Sequence, residues 1–229
     1  MFLKDLLFPK FCLGCGYLGA YICINCQKKL SYLKKDICLY CGKDSLSGFT
    51  HPGCRRNLGI DGFLSVLHYN DFLKAIIKNI KYRLAVDVWE EFCLVVKPER
   101  LKKILIYKSL LRDDFLLEPI PLHAHKLQLR GFNQAKIIAQ YLQSFLNCRK
   151  SGVLLRIRNT PSQTQLQNQK SRYHNMLGAF GVLANKNISG KNFVLVDDVV
   201  TTGSTLKEAA KVLKKNGARQ VFAITIANG

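Results

Sequence analysis

Residues 193–205 read FVLVDDVVTTGST. Phe193 to Val196 is a continuous apolar run of the kind that fills a strand buried on both faces. Asp197 and Asp198 follow, then Val199, Val200, Thr201, Thr202, Gly203, Ser204 and Thr205, and a helical pattern from about Ser204 to Asn216 that Gly217 stops. Gln220 to Ile226 (QVFAITI) returns as a strand. Strand, loop, helix, strand is the βαβ unit of a parallel sheet, whose ligands bind at the carboxyl ends of the strands. Gly203 permits close backbone approach, and the hydroxyls of Thr201, Thr202, Ser204 and Thr205 join the unpaired N–H groups of the helix start, so the turn suits a phosphate. It lacks G-K-[ST] and is not a Walker loop. Two carboxylates directly before such a cradle would repel the phosphate; they suit sugar hydroxyls or a divalent cation. Phosphate, diol and metal together describe a phosphorylated ribose.

Upstream, the chain continues the α/β pattern. Gly62 to Tyr69 reads as a strand, and Asn70 as the N-cap of a helix carrying Phe72, Ile76, Ile77 and Ile80 at helical spacing. A second helix runs from about Ala85 to Val96 and holds Trp89, a core or interface residue; Asp114 to Pro121 is a buried strand. Asn133 to Leu146 is an amphipathic helix, and Val153 to Leu155 a short strand. From Asn159 to Asn187 the sequence is polar and Gln-rich without periodicity apart from Met176 to Phe180, a length of irregular chain that is usually functional.

The chain has 229 residues, 35 Lys and Arg against 15 Asp and Glu, and a net charge of +20. No run approaches the roughly 18 apolar residues of a membrane span, and the start lacks a secretory pattern. A cytoplasmic location is expected. Such a field draws polyanions. Its distribution is uneven: Pro119 to Val196 holds no acidic residue but eleven Lys and Arg, among them Lys126, Arg130, Lys170 and Arg172.

Seven of the nine cysteines lie in the first 54 residues, in CLGC (Cys12, Cys15), CINC (Cys23, Cys26), CLYC (Cys38, Cys41) and HPGC (His51, Cys54). Two-residue spacing lets one tight turn present two ligands to a metal, and two facing turns complete a tetrahedron, so eight ligands imply two Zn²⁺ sites. Gly16 and Gly42 stand where positive φ can aim N–H groups at thiolates. Local pairing, Cys12/Cys15/Cys23/Cys26 and Cys38/Cys41/His51/Cys54, needs only short hairpins; interleaved pairing of the knuckles is the alternative. Disulfides suit oxidising compartments, a redox C-x-x-C lacks its fold context, and rubredoxin-like iron is compatible with the first site. So small a segment draws its folding free energy from metal. This divides the chain into a ribbon module, 1–58, and an α/β domain, 59–229.

The stretch FVLVDDVVTTGSTL resembles the signature of type I phosphoribosyltransferases. That resemblance implies binding of phosphoribosyl pyrophosphate (PRPP) with Mg²⁺ by Asp197, Asp198, Val199, Thr201, Thr202, Gly203, Ser204 and Thr205, the acids taking the ribose hydroxyls and the loop the 5′-phosphate. Together with the knuckles, Lys81–Tyr82, PLHAHKLQLRGFNQA at 121–135 and TPSQTQLQNQKSRYHNMLGAF at 160–180, the whole chain is similar to the ComF family, bacterial competence proteins with an N-terminal zinc ribbon and a phosphoribosyltransferase-like domain. It departs where many relatives read P-R-R-L, having Ala124, His125 and Lys126 before Leu127.

Departing pyrophosphate demands cations; the candidates are His125, Lys126 and Arg130, with Lys170 and Arg172 as a hood. Enzymes of this fold that act on 6-oxopurines carry an aspartate where Thr201 stands, which disfavours purine salvage here. Two readings follow. One is a competence factor for incoming single-stranded DNA, with PRPP in its pocket and Tyr82, Phe132 and Tyr173 stacking on bases. The other is an active phosphoribosyltransferase for an unidentified acceptor. The resemblance also implies a helicase-type ATPase of the uptake machinery as partner, and membrane association through such partners.

Overall fold

The computed structural model describes residues 9–82, 86–96, 101–112, 114–161 and 169–229, without the side chains of residues 81, 82, 86, 169 and 170. Among the described residues of the Cys-rich segment, regular structure is confined to the one-turn helix α1 (Ile24–Gln27), two 3₁₀ turns and isolated bridges. The α/β part begins with β1 (Gly62–His68), α2 (Asp71–Tyr82), α3 (Val86–Val95), α4 (Leu105–Leu110) and β2 (Leu116–Pro119). It continues with α5 (Ala124–Arg130), α6 (Gln134–Leu146), β3 (Arg149–Lys150), β4 (Leu154–Arg156), α7 (Gln169–Met176) and β5 (Phe180–Val182). The chain ends with β6 (Asn192–Val200), α8 (Ser204–Lys215) and β7 (Gln220–Asn228).

Five strands form one parallel sheet in the order β1-β7-β6-β2-β3, and β4 and β5 form a separate antiparallel pair. A parallel sheet must be covered on both faces, and strand alternation divides the core accordingly. Val194, Val196, Phe222, Ile224, Leu64 and Val66 join α2, α3 and α6 in one cluster. Phe193, Leu195, Val221, Ala223 and Phe63 join α8, Met176 and Phe180 in the other.

The expected strands and helices form with shifts at their ends. Asn70 Oδ1 accepts Leu73 N–H at 2.9 Å and caps α2, and Asn133 does the same for α6. Trp89 is fully buried and meets Phe92 edge-on. Three features differ from the sequence reading. β6 does not stop at Val196 but runs through both aspartates to Val200, because β7 keeps pairing with it as far as Val200↔Asn228. The 159–187 stretch contains α7 and β5; α7 is polar around most of its circumference and is held by its last residue, Met176, which is fully buried. Leu105–Leu110 and Ala124–Arg130 are short helices where no helix was expected.

Candidate functional site

The carboxyl ends of β2 and β6 open into a cavity of about 290 Å³. Its floor is the end of β6 and the turn into α8. Asp198 is buried and its Oδ1 accepts Val199 N–H at 2.9 Å; Asp197 Oδ1 accepts Asp198 N–H at 2.9 Å. Gly203 takes φ +71° at the helix N-cap and supplies no side-chain cap, so the first-turn N–H groups of α8, on residues that line the cavity, have no acceptor on their own helix, and Ser204 N–H makes only a long 3.4 Å contact to Thr202 Oγ1. Thr202 and Ser204 hydroxyls lie 2.8 Å apart beside them. Thr201, Thr205 and Val199 complete the floor.

The walls are cationic. α5 brings Lys126 and Arg130, β4 brings Arg156, α7 brings Arg172 and α2 brings Lys74, while Asp197 and Asp198 are the only carboxylates among the described lining residues. Burial, then the neighbouring Arg156 and Arg130, lowers Lys126 to about 8. Burial also lowers Arg156 against the pull of Asp197. A group of cations that depress one another is poised for an anion, which would relieve both effects. Arg172 Nη1 donates to Thr201 Oγ1 at 3.1 Å and so reaches across from α7 to the turn into α8.

Each wall is fixed from behind. Glu118 on β2 is almost wholly buried; its two carboxylate oxygens accept Val153 and Leu154 N–H at 3.1 Å each, which sets the start of β4 and hence Arg156. Burial raises the Glu118 carboxyl, and the Ser151 hydroxyl with these two N–H groups works against it. Arg156 donates to Thr160 Oγ1 at 2.5 Å and lies over the Phe180 ring. Gln134 at the start of α6 is buried; its Oε1 accepts from Arg130, and its Nε2 has no partner among the described residues, a donor that a ligand oxygen could meet.

Of the cations read from sequence, Lys126, Arg130 and Arg172 line the cavity. His125 is exposed on α5, its N–H donating to His123 Nδ1, and it does not line the cavity; the side chain of Lys170 lies outside the described residues. Phe132 is only 8% exposed and packs in the core, so it offers no face for stacking, which corrects the expectation from sequence. Tyr173 is 46% exposed, and the Tyr82 side chain is outside the description. Arg156, Gln134 and Lys74 were not singled out by sequence reasoning. Only the acid-free character of the surrounding stretch pointed toward Arg156.

The metal ligands gather as two local sets. Cys12, Cys15, Cys23 and Cys26 form one, Cys38, Cys41, His51 and Cys54 the other, and within each all ligand atoms lie within 4.8 Å of one another. Tetrahedral zinc–thiolate bonds place sulfurs about 3.8 Å apart; Cys15 and Cys23 sulfurs are 3.6 Å apart, and Cys41 Sγ is 3.3 Å from His51 Nδ1. His51 Nε2 lies 3.1 Å from the Asp44 carbonyl, a contact that calls for a proton on Nε2 and leaves Nδ1 as the ligand atom. Gly16 and Gly42 take φ +77° and +72°, as expected of knuckle glycines. Against desolvation, the N–H groups of Cys23, Gly14 and Cys15 bring Cys12 down to about 6, whereas burial and its fellow thiols push Cys26 up to about 12. Four thiols so close cannot all ionise without a cation. Both donor sets fit zinc.

Two family models match the chain, a double zinc ribbon domain over residues 3–56 and a phosphoribosyl transferase domain over 128–229. DNA utilization protein YhgH of Salmonella typhimurium is 39% identical over 207 residues, 87% of either chain. The chain belongs to the ComF family. Other ComF-family relatives include Competence protein F of Haemophilus influenzae, 27% identical over 208 residues and 87% of either chain. Competence protein ComFC of Bacillus subtilis is 29% identical over 217 residues, 90% of this chain and 83% of the relative. Like its family, this ComF chain carries a phosphoribosyltransferase domain and a double ribbon with two four-ligand clusters. No helix among its described residues is long and apolar enough to cross a membrane.

Proposed function

We propose that this chain is a competence factor that binds PRPP, with Mg²⁺, in the cavity above β6 and handles incoming single-stranded DNA. The observation that carries the reading is the order of chemistry along that cavity. The carboxylates of Asp197 and Asp198 suit ribose hydroxyls, the Thr201–Thr205 turn a 5′-phosphate, and Lys126, Arg130, Arg156 and Arg172 a pyrophosphate. Mg²⁺ would enter with the pyrophosphate, beside the aspartates. Residues 1–58 act in this reading as a zinc module and 59–229 as the ligand-binding domain. The relatives' names, competence and DNA utilization proteins, supply the biological setting.

A DNA role draws on the acid-free stretch. At the amino end of the sheet, remote from the PRPP cavity, a second cavity of about 380 Å³ is lined by Lys150, Lys186 and Lys191, and Arg149 is exposed next to it. Cations spread over both ends of the sheet suit a backbone that is followed rather than read. A cytoplasmic site of action, with a helicase-type ATPase as partner and membrane association through that machinery, completes the proposal.

An active phosphoribosyltransferase is the second reading, favoured by the family-model match and by the cations around the pyrophosphate position. Thr201 weighs against transfer to a purine, since its hydroxyl accepts from Arg172 and takes no proton from a base. Calorimetry with PRPP and Mg²⁺ tests the common ground. Wild type should bind, and the double variant Asp197→Asn/Asp198→Asn should lose about 100-fold or more in affinity, as removal of charge-assisted hydrogen bonds does, while keeping two zinc ions. Pyrophosphate release in an acceptor screen would select the enzyme; retention of single strands that falls steeply with salt would select the competence factor. Wild type that ignores PRPP overturns both.

A further inference from the structure

The turn Cys38-Leu39-Tyr40-Cys41 belongs to the second metal cluster, yet its two middle residues face away from the metal and onto the phosphate loop. Leu39 is buried, and a Cβ placed on Gly203 would lie 3.0 Å from its Cγ and Cδ1. The leucine therefore packs against the backbone of the residue that starts α8. The Tyr40 hydroxyl accepts Ile60 N–H at 2.9 Å, which fixes its ring over the same region. Lys207, one turn into α8, lies 5.0 Å above that ring and donates to the Thr202 carbonyl at 3.0 Å. Thr202 and Gly203, the two residues whose conformation shapes the anion cradle, are thus held from behind by Leu39 directly and by Tyr40 through Lys207.

Among the described residues the first cluster makes no such contact with the turn into α8. Its ribbon rests on α2 and α3, where Glu91 accepts Tyr21 and Ile22 N–H at 2.7 and 3.2 Å and Phe72 packs against Gly14.

We infer that Leu39 and Tyr40 are positioning residues for the Thr202–Gly203 cradle, so that integrity of the second metal cluster, and not of the first, sets how tightly the cavity holds a ribose phosphate. This rests on the PRPP reading for its ligand, but not for its geometry. Zinc at Cys38 and Cys41 fixes the two ends of a four-residue turn, and the turn's centre supplies the contact. Releasing the ends lets Leu39 withdraw, Gly203 loses its stop, and the first-turn N–H groups of α8 no longer converge on one point.

The full chain, zinc-loaded, is compared as wild type, Leu39→Ala, Leu39→Met, Cys41→Ser and Cys15→Ser. Three quantities are read: zinc per chain, affinity for PRPP with Mg²⁺, and amide hydrogen exchange over Thr202–Lys207. Leu39→Ala should keep two zinc ions, weaken PRPP about tenfold and speed exchange in the cradle; Leu39→Met should restore both. Cys41→Ser should reproduce the Leu39→Ala effects with one zinc lost. Cys15→Ser, cutting the other cluster, should leave affinity and cradle exchange as in wild type. If Leu39→Ala changes neither affinity nor cradle exchange, or if Cys15→Ser weakens PRPP as much as Cys41→Ser does, the inference is overturned. Wild type that fails to bind PRPP would sink the ligand reading alone, because the exchange data still decide whether the turn holds the cradle.

Discussion

The ribbon built on Cys12, Cys15, Cys23 and Cys26 lies against α2 and α3, and the one built on Cys38, Cys41, His51 and Cys54 lies against the start of α8 and the end of β6. The ligand sets are close relatives and the knuckle geometry is shared, down to the positive φ of Gly16 and Gly42. Their surroundings divide along the sheet. Cys12, Ile22, Cys23 and Cys26 enter the hydrophobic cluster on one face, whereas Leu39 and Ile60 enter the cluster on the other, although Phe49 of the second ribbon also packs against Tyr107 and Phe222 on the first. One ribbon stabilises a helical layer that takes no part in the cavity floor; the other is continuous with the floor. Two metal clusters of one kind on one chain thus have different surroundings because one packs on α2 and α3 and the other on the turn into α8.

The harshest way to break this comparison is to cut the first cluster at its most buried thiol, Cys26. Cys26→Ser should lose one zinc and a stabilisation of several kcal/mol, up to the order of 10 kcal/mol for a structural site, seen as early melting of the N-terminal ribbon. PRPP affinity of the folded remainder should stay within a few-fold. An equal loss of affinity would mean that the two ribbons behave as one body.

A milder cut separates docking from metal binding. Glu91 carries the first ribbon through two N–H groups and the 3.2 Å ion pair with Lys10. Glu91→Ala leaves those N–H groups unmet and should destabilise by about 1–3 kcal/mol, a fall of roughly 2–4 °C in melting temperature per kcal/mol in a chain of this size. Both zinc ions and PRPP affinity should be retained. Differential scanning calorimetry with metal analysis checks it.

The smallest expected effect sharpens the cavity side. Lys126 sits at about 8 when folded against 10.5 unfolded, chiefly through burial and then through Arg156 and Arg130. With the folded value depressed, the unfolded chain binds more protons between about pH 8 and 10.5, so stability rises across that window; below it the buried charge is a cost. Anion binding runs the other way. Pyrophosphate affinity should fall several-fold between pH 7 and 9, as Lys126 loses its charge, and Lys126→Met should flatten that profile. A profile unchanged by the substitution would place the titrating group elsewhere.

The strand-to-helix turn that floors the cavity and both metal clusters were legible in the sequence because their signals are local: DDVVTTGST and four two-residue knuckles each report on themselves within a few positions. The buried strands were legible for the same reason. What escaped was set by contacts between distant segments. Arg156 becomes a cavity residue only because Glu118 binds the backbone at Val153 and Leu154. Phe132, beside a glycine and apparently free to stack, is taken into the core with α6. α7 carries no amphipathic stripe, so periodicity had nothing to register, and its anchorage depends on Met176 meeting the far cluster. β6 outruns its apolar stretch since its length is decided by β7. Leu39 reads as an ordinary knuckle filler until Gly203 is brought to it.

The strand order has a bearing on synthesis. β1 is made early, but its parallel neighbour is β7, the final nine-residue strand of the chain. On the ribosome, residues 62–68 can pair early with the upstream segment, through Leu33 N–H to the Val66 carbonyl and His68 N–H to the Ser31 carbonyl, but their parallel pairing must wait for β7, and a product interrupted ahead of Gln220 leaves that apolar edge in water. The two metal clusters, whose ligands all lie between Cys12 and Cys54, are the parts able to mature during that interval. Loading with metal would then be the opening event in the birth of the molecule, and the arrival of the last strand the closing one.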